Sequence, residues 1–176
     1  MAIDLRSFKS RLEHGIARKN SYEVWIQDMS EDAQMFCLAA QFPGMTVGIA
    51  PAFFQGMELK LRGDKRFPTW TGTFYGQCSS STIAIYDEML GWFNSPIDQA
   101  TNVGKRNPAD YWKQVRIVPL ADDRTTELGE IVLLDAWINE IQPVDISYQS
   151  ENELLTFNVI LAFSEIGKPG VWGTSV

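Results

Sequence analysis

One histidine, two cysteines and three short carboxylate clusters are the groups in this chain that could make or break bonds. A general base must lie within reach of the proton it takes. His14 is followed by Gly15 and has no Ser or Cys pattern nearby, so a structural or solvent-facing role is expected for it. Cys37 falls in a strand pattern and Cys78 just before a helical one. A helix N-terminus can lower a thiol pKa, but neither cysteine has a basic partner in sequence to hold a thiolate. With no CxxC pair, neither a disulfide framework nor a Cys/His zinc site is expected. The clusters "SED" (30–32), "ADD" (121–123) and "SENE" (150–153) sit at expected hairpin turns, which explains them. They lack the spacing of a calcium loop or of a glycosidase carboxylate pair. No GxGxxG or P-loop string occurs. The expectation is a protein that is not an enzyme and uses no cofactor or metal.

Two further strings invite functional readings. Arg62-Gly63-Asp64 matches a cell-adhesion triplet, but a three-letter match arises by chance in roughly 2% of chains this long, so it needs context. "KRNPADYWKQVR" (105–116) interleaves basic and aromatic residues, as nucleic-acid surfaces do. It is one run in a chain of net charge −7, and strand alternation accounts for most of it. Phosphate affinity comes chiefly from Lys and Arg, so an acidic chain is poorly suited to clamp nucleic acid. The charge reads most simply as solubility, and more sharply as a surface that nucleic acid passes without sticking; composition does not choose between them.

The elements that position these groups follow from periodicity. The length, 176 residues, fits one domain with a sizeable core. Asp4 can cap a short N-terminal helix carrying Leu5, Phe8 and Leu12, stopped by Gly15. "YEVWIQD" (22–28) and "MFCLAAQ" (35–41) read as strands joined by a polar hairpin. "FPGMTVGIAPAFFQG" (42–56), with two Pro and three Gly, reads as neither a clean strand nor a solvated loop. "MELKLRG" alternates Met57, Leu59 and Leu61 with Glu58, Lys60 and Arg62, a strand with one wet face. In "TWTGTFYG" (69–76), Thr residues alternate with Trp70 and Phe74. Ser81 can cap the one longer helix, whose Tyr86, Met89, Leu90 and Phe93 form a stripe with Trp92 off it. A long polar loop spans 94–110. Strands are expected at 111–120, 128–138, 143–149 and 154–163, the last lining Leu155, Phe157, Val159, Leu161 and Phe163 on one face. Residues 164–176, with Trp172, form a tail without a core of its own.

The fold expected is mainly β: a single barrel or sandwich (1–163) with one flanking helix, a short N-terminal helix and a long loop, followed by the tail (164–176). The N-terminus lacks the apolar segment of a signal peptide, and no run approaches the roughly 18 apolar residues of a membrane span. Synthesis in a reducing cytoplasm is expected. The apolar material of 42–56, Trp92 and Trp172 has no assigned core, which points to self-association.

At this point the motifs form an ordered set. "FPGM", then "ELKLRGDKRFPTWTGTFYG", then a helix ending "LGWFN", then "NPADYWKQVRIVPLADDRTTELGEIVLLDAWINEIQPVDISYQSENELLTFNVILAF" resembles the tail tube proteins of contractile-tailed bacteriophages from Ser7 to Phe163. The most specific pieces are the Pro-Gly pair, the string Gly63-Asp64-x-Arg66-Phe67 leading to Trp70, Asn107-Pro-Ala-Asp-Tyr111, and the Ser-x-Asn-Glu string ahead of Thr156-Phe157. The resemblance makes the adhesion triplet part of a strand-to-strand connection, with Gly63 permitting an unusual turn and Asp64 accepting from nearby N–H groups.

The resemblance also implies six-membered rings stacked into a hollow tube, a virion component made in the host cytoplasm and not anchored in a membrane. Implied partners are further copies of the chain, the tail sheath, a baseplate tube initiator, and the tape-measure protein and DNA passing through the lumen. The inter-ring or inter-subunit surface would include Phe42, Pro43, Gly44, Met45, Val47, Ile49, Phe53, Phe54 and Trp172. Rival readings are a tube initiator of the same fold, the ring or tube protein of type VI secretion or a related injection particle, and a monomeric ligand- or carbohydrate-binding sandwich.

Overall fold

The computed structural model describes residues 18–167 except 80 and 99, together with Leu5 and Lys9, both helical. His14, Trp172 and most of the expected N-terminal helix lie outside the described residues.

The core is one curled antiparallel sheet. Its strands are β1 (Tyr22–Ile26), β2 (Cys37–Ala40), β5 (Trp70–Tyr75), β10 (Lys113–Pro119), β11 (Ile131–Ile141), β12 (Thr156–Ala162) and β13 (Glu165–Gly167). They run in the order β1-β10-β11-β12-β5-β2, and β13 also pairs with β11. Outside this sheet lie the pair β3 (Thr46–Phe54) and β4 (Met57–Arg66) and two short pairs, β6 (Cys78–Ser79) with β7 (Thr82–Ile83) and β8 (Ile97–Asp98) with β9 (Val103–Gly104). The sheet does not close into a hydrogen-bonded barrel: β1 and β2, consecutive in the chain, form its two ends. Between them lies a short helix, α1 (Glu31–Met35), where the sequence suggests a plain hairpin. Its first turn carries Glu31 and Asp32, which suit the positive end of a helix dipole.

Period-two burial shows which side of the sheet is inside. Trp70, Gly72 and Phe74 of β5 alternate with half-exposed threonines, and Phe157, Val159 and Leu161 of β12 face them. Phe74 and Phe157 stack with centroids 5.9 Å apart, while Tyr86 meets Phe157 edge-on at 5.3 Å. Helix α2 (Ala84–Asn94) covers this face and packs on β11. Its buried residues are Ile85, Met89 and Trp92. The stripe expected at Tyr86, Met89, Leu90 and Phe93 is therefore rotated: Phe93 is 40% exposed, and Trp92 only 4%. Trp92 is drawn inward because its indole N–H donates to the Tyr111 carbonyl at 2.8 Å, giving the ring's polar handle a partner. The expected cap at Ser81 is not used either; the N-cap is Ile83, without a side-chain hydrogen bond.

Two other boundaries differ from the sequence pattern. Residues 143–149 form no strand, and β11 reaches Ile141 instead of ending at 138. The first residues of the expected tail, Glu165–Gly167, add to the sheet beside Val132, Leu133 and Leu134.

Candidate self-assembly surface

Residues 46–66 form a ribbon apart from this sheet. β3 (Thr46–Phe54) and β4 (Met57–Arg66) pair only with each other among the described residues. The segment read as neither strand nor loop is thus a nine-residue strand. Its Pro51 is tolerated because each strand of a two-stranded ribbon has a free edge, where a missing N–H breaks no ladder. The chain reverses at Gln55-Gly56, with φ of 46° and 82°, the paired left-handed conformations of a tight hairpin turn.

That placement corrects the reading of the Gly-Asp string. Gly63, Asp64 and Arg66 lie inside β4 and Phe67 just after it, so Gly63 makes no strand-to-strand turn. Glycine is required there for another reason. A Cβ on Gly63 would sit 2.9 Å from the carbonyl carbon and oxygen of Gly48, too close for any side chain. The two glycines face each other where the register shifts between Val47 and Ile49, a bulge that two backbones can form only at close approach. At the ribbon's root, Trp70 donates its indole N–H to the Gln41 carbonyl at 2.6 Å. Gly44 sits against Pro68, and Lys65 lies 4.7 Å over the Phe67 ring.

Directly opposed residues of an antiparallel pair share a face. One face of the ribbon therefore carries Phe54 with Met57, Ala52 with Leu59, and Ala50 with Leu61, all apolar. The other carries Phe53 with Glu58, Pro51 with Lys60, and Ile49 with Arg62. Neither face is covered: Phe53 is 76% exposed and Leu59 51%. The sequence reading of one wet face on β4 differs from the structure, in which Met57, Leu59 and Leu61 of the dry face are exposed as well. Phe42, Met45, Val47, Ile49, Phe53 and Phe54 are all exposed, and the structure groups with them Met57, Leu59 and Leu61. Those three were legible as alternation, but alternation does not say what the dry face meets.

Two of the groups that could do chemistry, Cys37 and Asp123, have structural surroundings. Burial pushes the Cys37 thiol up to about 12, the opposite of what a nucleophile needs. Asp123 accepts from the backbone N–H of Thr125 and Thr126 and from the Thr126 hydroxyl, bonds that hold its carboxyl well below the usual range. It shapes the β10–β11 turn, as the sequence suggests. Among the described residues no three His, Cys, Asp or Glu are grouped to hold a metal. No helix there is long and apolar enough to cross a membrane.

Over 146 residues the chain is 25% identical to tail tube protein gp19 of Enterobacteria phage T4, spanning 83% of this chain and 88% of the phage protein. The chain resembles phage tail tube proteins. The gp19 protein of Enterobacteria phage T6 matches to the same extent. No protein-family model matches. Among solved structures, the tube-terminating cap of the anti-feeding prophage superimposes with TM-score 0.66 at 14% identity, covering 95% of this chain and 93% of that one. The sheath-tube complex of the PVC extracellular contractile injection system gives 0.62 at 14% identity, with 94% and 97% covered. At such identities these structures share the fold.

Proposed function

We propose that this chain is the structural subunit of a phage tail tube, assembling as six-membered rings that stack into a hollow conduit for DNA. The observation that carries the reading is the ribbon of residues 46–66. It is a hairpin of a nine-residue and a ten-residue strand, with an apolar face left exposed beside the buried core of the main sheet. A monomer rarely exposes a contiguous apolar surface of that length, and obligate contacts between subunits bury such surfaces. The similarity to tail tube proteins over most of the chain supports the same reading.

In this role the protein is a virion component that catalyses nothing. Its contacts are further copies of itself, a surrounding sheath, a baseplate initiator at one end, and a tape-measure protein and DNA inside. A wall poor in inward Lys and Arg would let phosphates pass, so the lumen is net acidic. The ribbon, with Phe42, Pro43, Gly44 and Met45 at its root, is the contact between copies.

Negative-stain electron microscopy of the concentrated protein tests this. Long tubes with a regular axial repeat are the expected result, while discrete rings favour an initiator or terminator of the same fold. A monomer that also fails to grow on purified baseplates overturns the assignment. Phe53→Asp should abolish tubes with the far-ultraviolet circular dichroism unchanged; tubes that persist would remove the ribbon from the contact.

A further inference from the structure

A second surface of this chain matches the ribbon in reverse. The segment 143–155, between β11 and β12, contains Asp145, Glu151 and Glu153 and no Lys or Arg. Ile146 and Leu154 are 89% and 75% exposed, and Tyr148 is fully exposed. A cleft of about 360 Å³ opens along it, lined among others by Val144, Ile146, Glu153 and Leu154. The three carboxylates make no ion pair among the described residues.

The ribbon has the opposite character. From Phe42 to Arg66, Lys60, Arg62, Lys65 and Arg66 outnumber Glu58 and Asp64, although the whole chain carries −7. Lys60 and Arg62, with Glu58 as the one carboxylate beside them, lie on the face that also carries Ile49, Pro51 and Phe53, so this face is net positive. They too form no ion pair among the described residues. Each surface thus joins uncovered apolar side chains to unpaired charge, and the charges are complementary.

Topology keeps the two from meeting within one molecule. The ribbon leaves from Ala40 and returns at Trp70, which pairs with Leu161. The 143–155 segment leads into Thr156, which pairs with Tyr75 at the other end of the same two strands. The surfaces are rooted at opposite ends of the β5–β12 pair. A contact between them must join different copies head to tail, and such a contact repeats without closing on itself along the strand direction.

We infer that the Lys60–Arg62–Phe53 face of the ribbon seats on the acidic 143–155 segment of a second copy. This rests on the ribbon being a self-assembly surface and names the surface that receives it. Oppositely charged rims steer the encounter and fix its register, while the aromatic tip and Ile146, Tyr148 and Leu154 exclude water.

Charge exchange in the full-length protein tests the pairing, with assembly read by sedimentation and electron microscopy and folding by circular dichroism. Lys60→Glu with Arg62→Glu should lower the sedimenting fraction by about tenfold or more, since like charges then face each other. Glu151→Lys with Glu153→Lys should do the same, and combining all four should restore tubes. Folded double variants that assemble like wild type, or a fourfold variant that stays unassembled, overturn the pairing and leave the tube reading standing. A wild type that forms no tubes counts against the tube reading instead. The contact is then read by cross-linking Phe53→Cys to Ile146→Cys in a Cys78→Ser background: linked copies support it, and their absence overturns it.

Discussion

The hydroxyl of Tyr22, the first residue of β1, donates to the backbone carbonyl of Leu38 in β2 at 2.7 Å. These strands end the sheet on either side, so one side chain spans the seam that no ladder closes. The barrel expected from the strand count is therefore a curled sheet tied at its open edge. Tyr22→Phe should cost about 0.5–1.5 kcal/mol in urea unfolding, the net worth of one hydrogen bond. A loss near zero would mean water replaces the tie.

Alkaline stability should depend on Cys37 beside that seam. Its thiol has an ordinary value of 9.0 and is pushed by burial up to about 12. Between those values the unfolded chain releases a proton that the folded chain keeps. Stability is therefore full below pH 9 and falls as pH rises toward 12. Tyr22, raised by burial and then by the nearby Cys37 charge, works in the same direction above its own ordinary value. Cys37→Ala should flatten the decline in urea midpoint over this range; an unchanged slope would assign the decline to other groups.

Two glycines should give opposite readouts. A Cβ on Gly72 would lie 2.6 Å from the Trp70 ring, inside the core, so Gly72→Ala should lower global stability by about 1–3 kcal/mol. Gly63→Ala clashes with Gly48 in the ribbon, which contributes nothing to that core. Its thermal midpoint should stay near wild type, while amide exchange in β3 and β4 accelerates and assembly is lost. A shared drop in midpoint would show that ribbon and core unfold together.

The rotated stripe of α2 predicts a contrast between adjacent residues. Trp92→Ala should destabilise by about 3–5 kcal/mol, because it empties a core site and orphans the Tyr111 carbonyl. Phe93→Ala, half exposed, should change monomer stability by less than about 0.5 kcal/mol. Equal losses would restore the stripe read from the sequence.

Much of the fold is legible in the chain because local periodicity decides it. Period-two runs at 70–75 and 156–162 locate the strands and their inward residues, since alternate side chains of a strand face opposite sides. Turn carboxylates such as Asp123 are legible because their bonds reach only two or three residues along the chain. The resemblance to tail tube proteins is legible too, because its motifs are short strings in a fixed order along the chain.

The rest is tertiary. A helix with apolar residues on more than one side offers several stripes, and the carbonyl of Tyr111, 19 residues away, selects the one with Trp92. Met57, Leu59 and Leu61 alternate like any half-buried strand, yet no period states whether the dry face meets this chain or another. Gly63 is needed because Gly48 crosses it, a pairing 15 residues apart that only the ribbon register creates. The sequence by itself determined most strands of the main sheet, the central helix and the kind of protein this resembles, because those depend on neighbours along the chain. The strand expected at 143–149 and the unread strand β3 were decided elsewhere. Which faces remain uncovered, and that they sit at opposite ends of one strand pair, was decided by packing between distant segments.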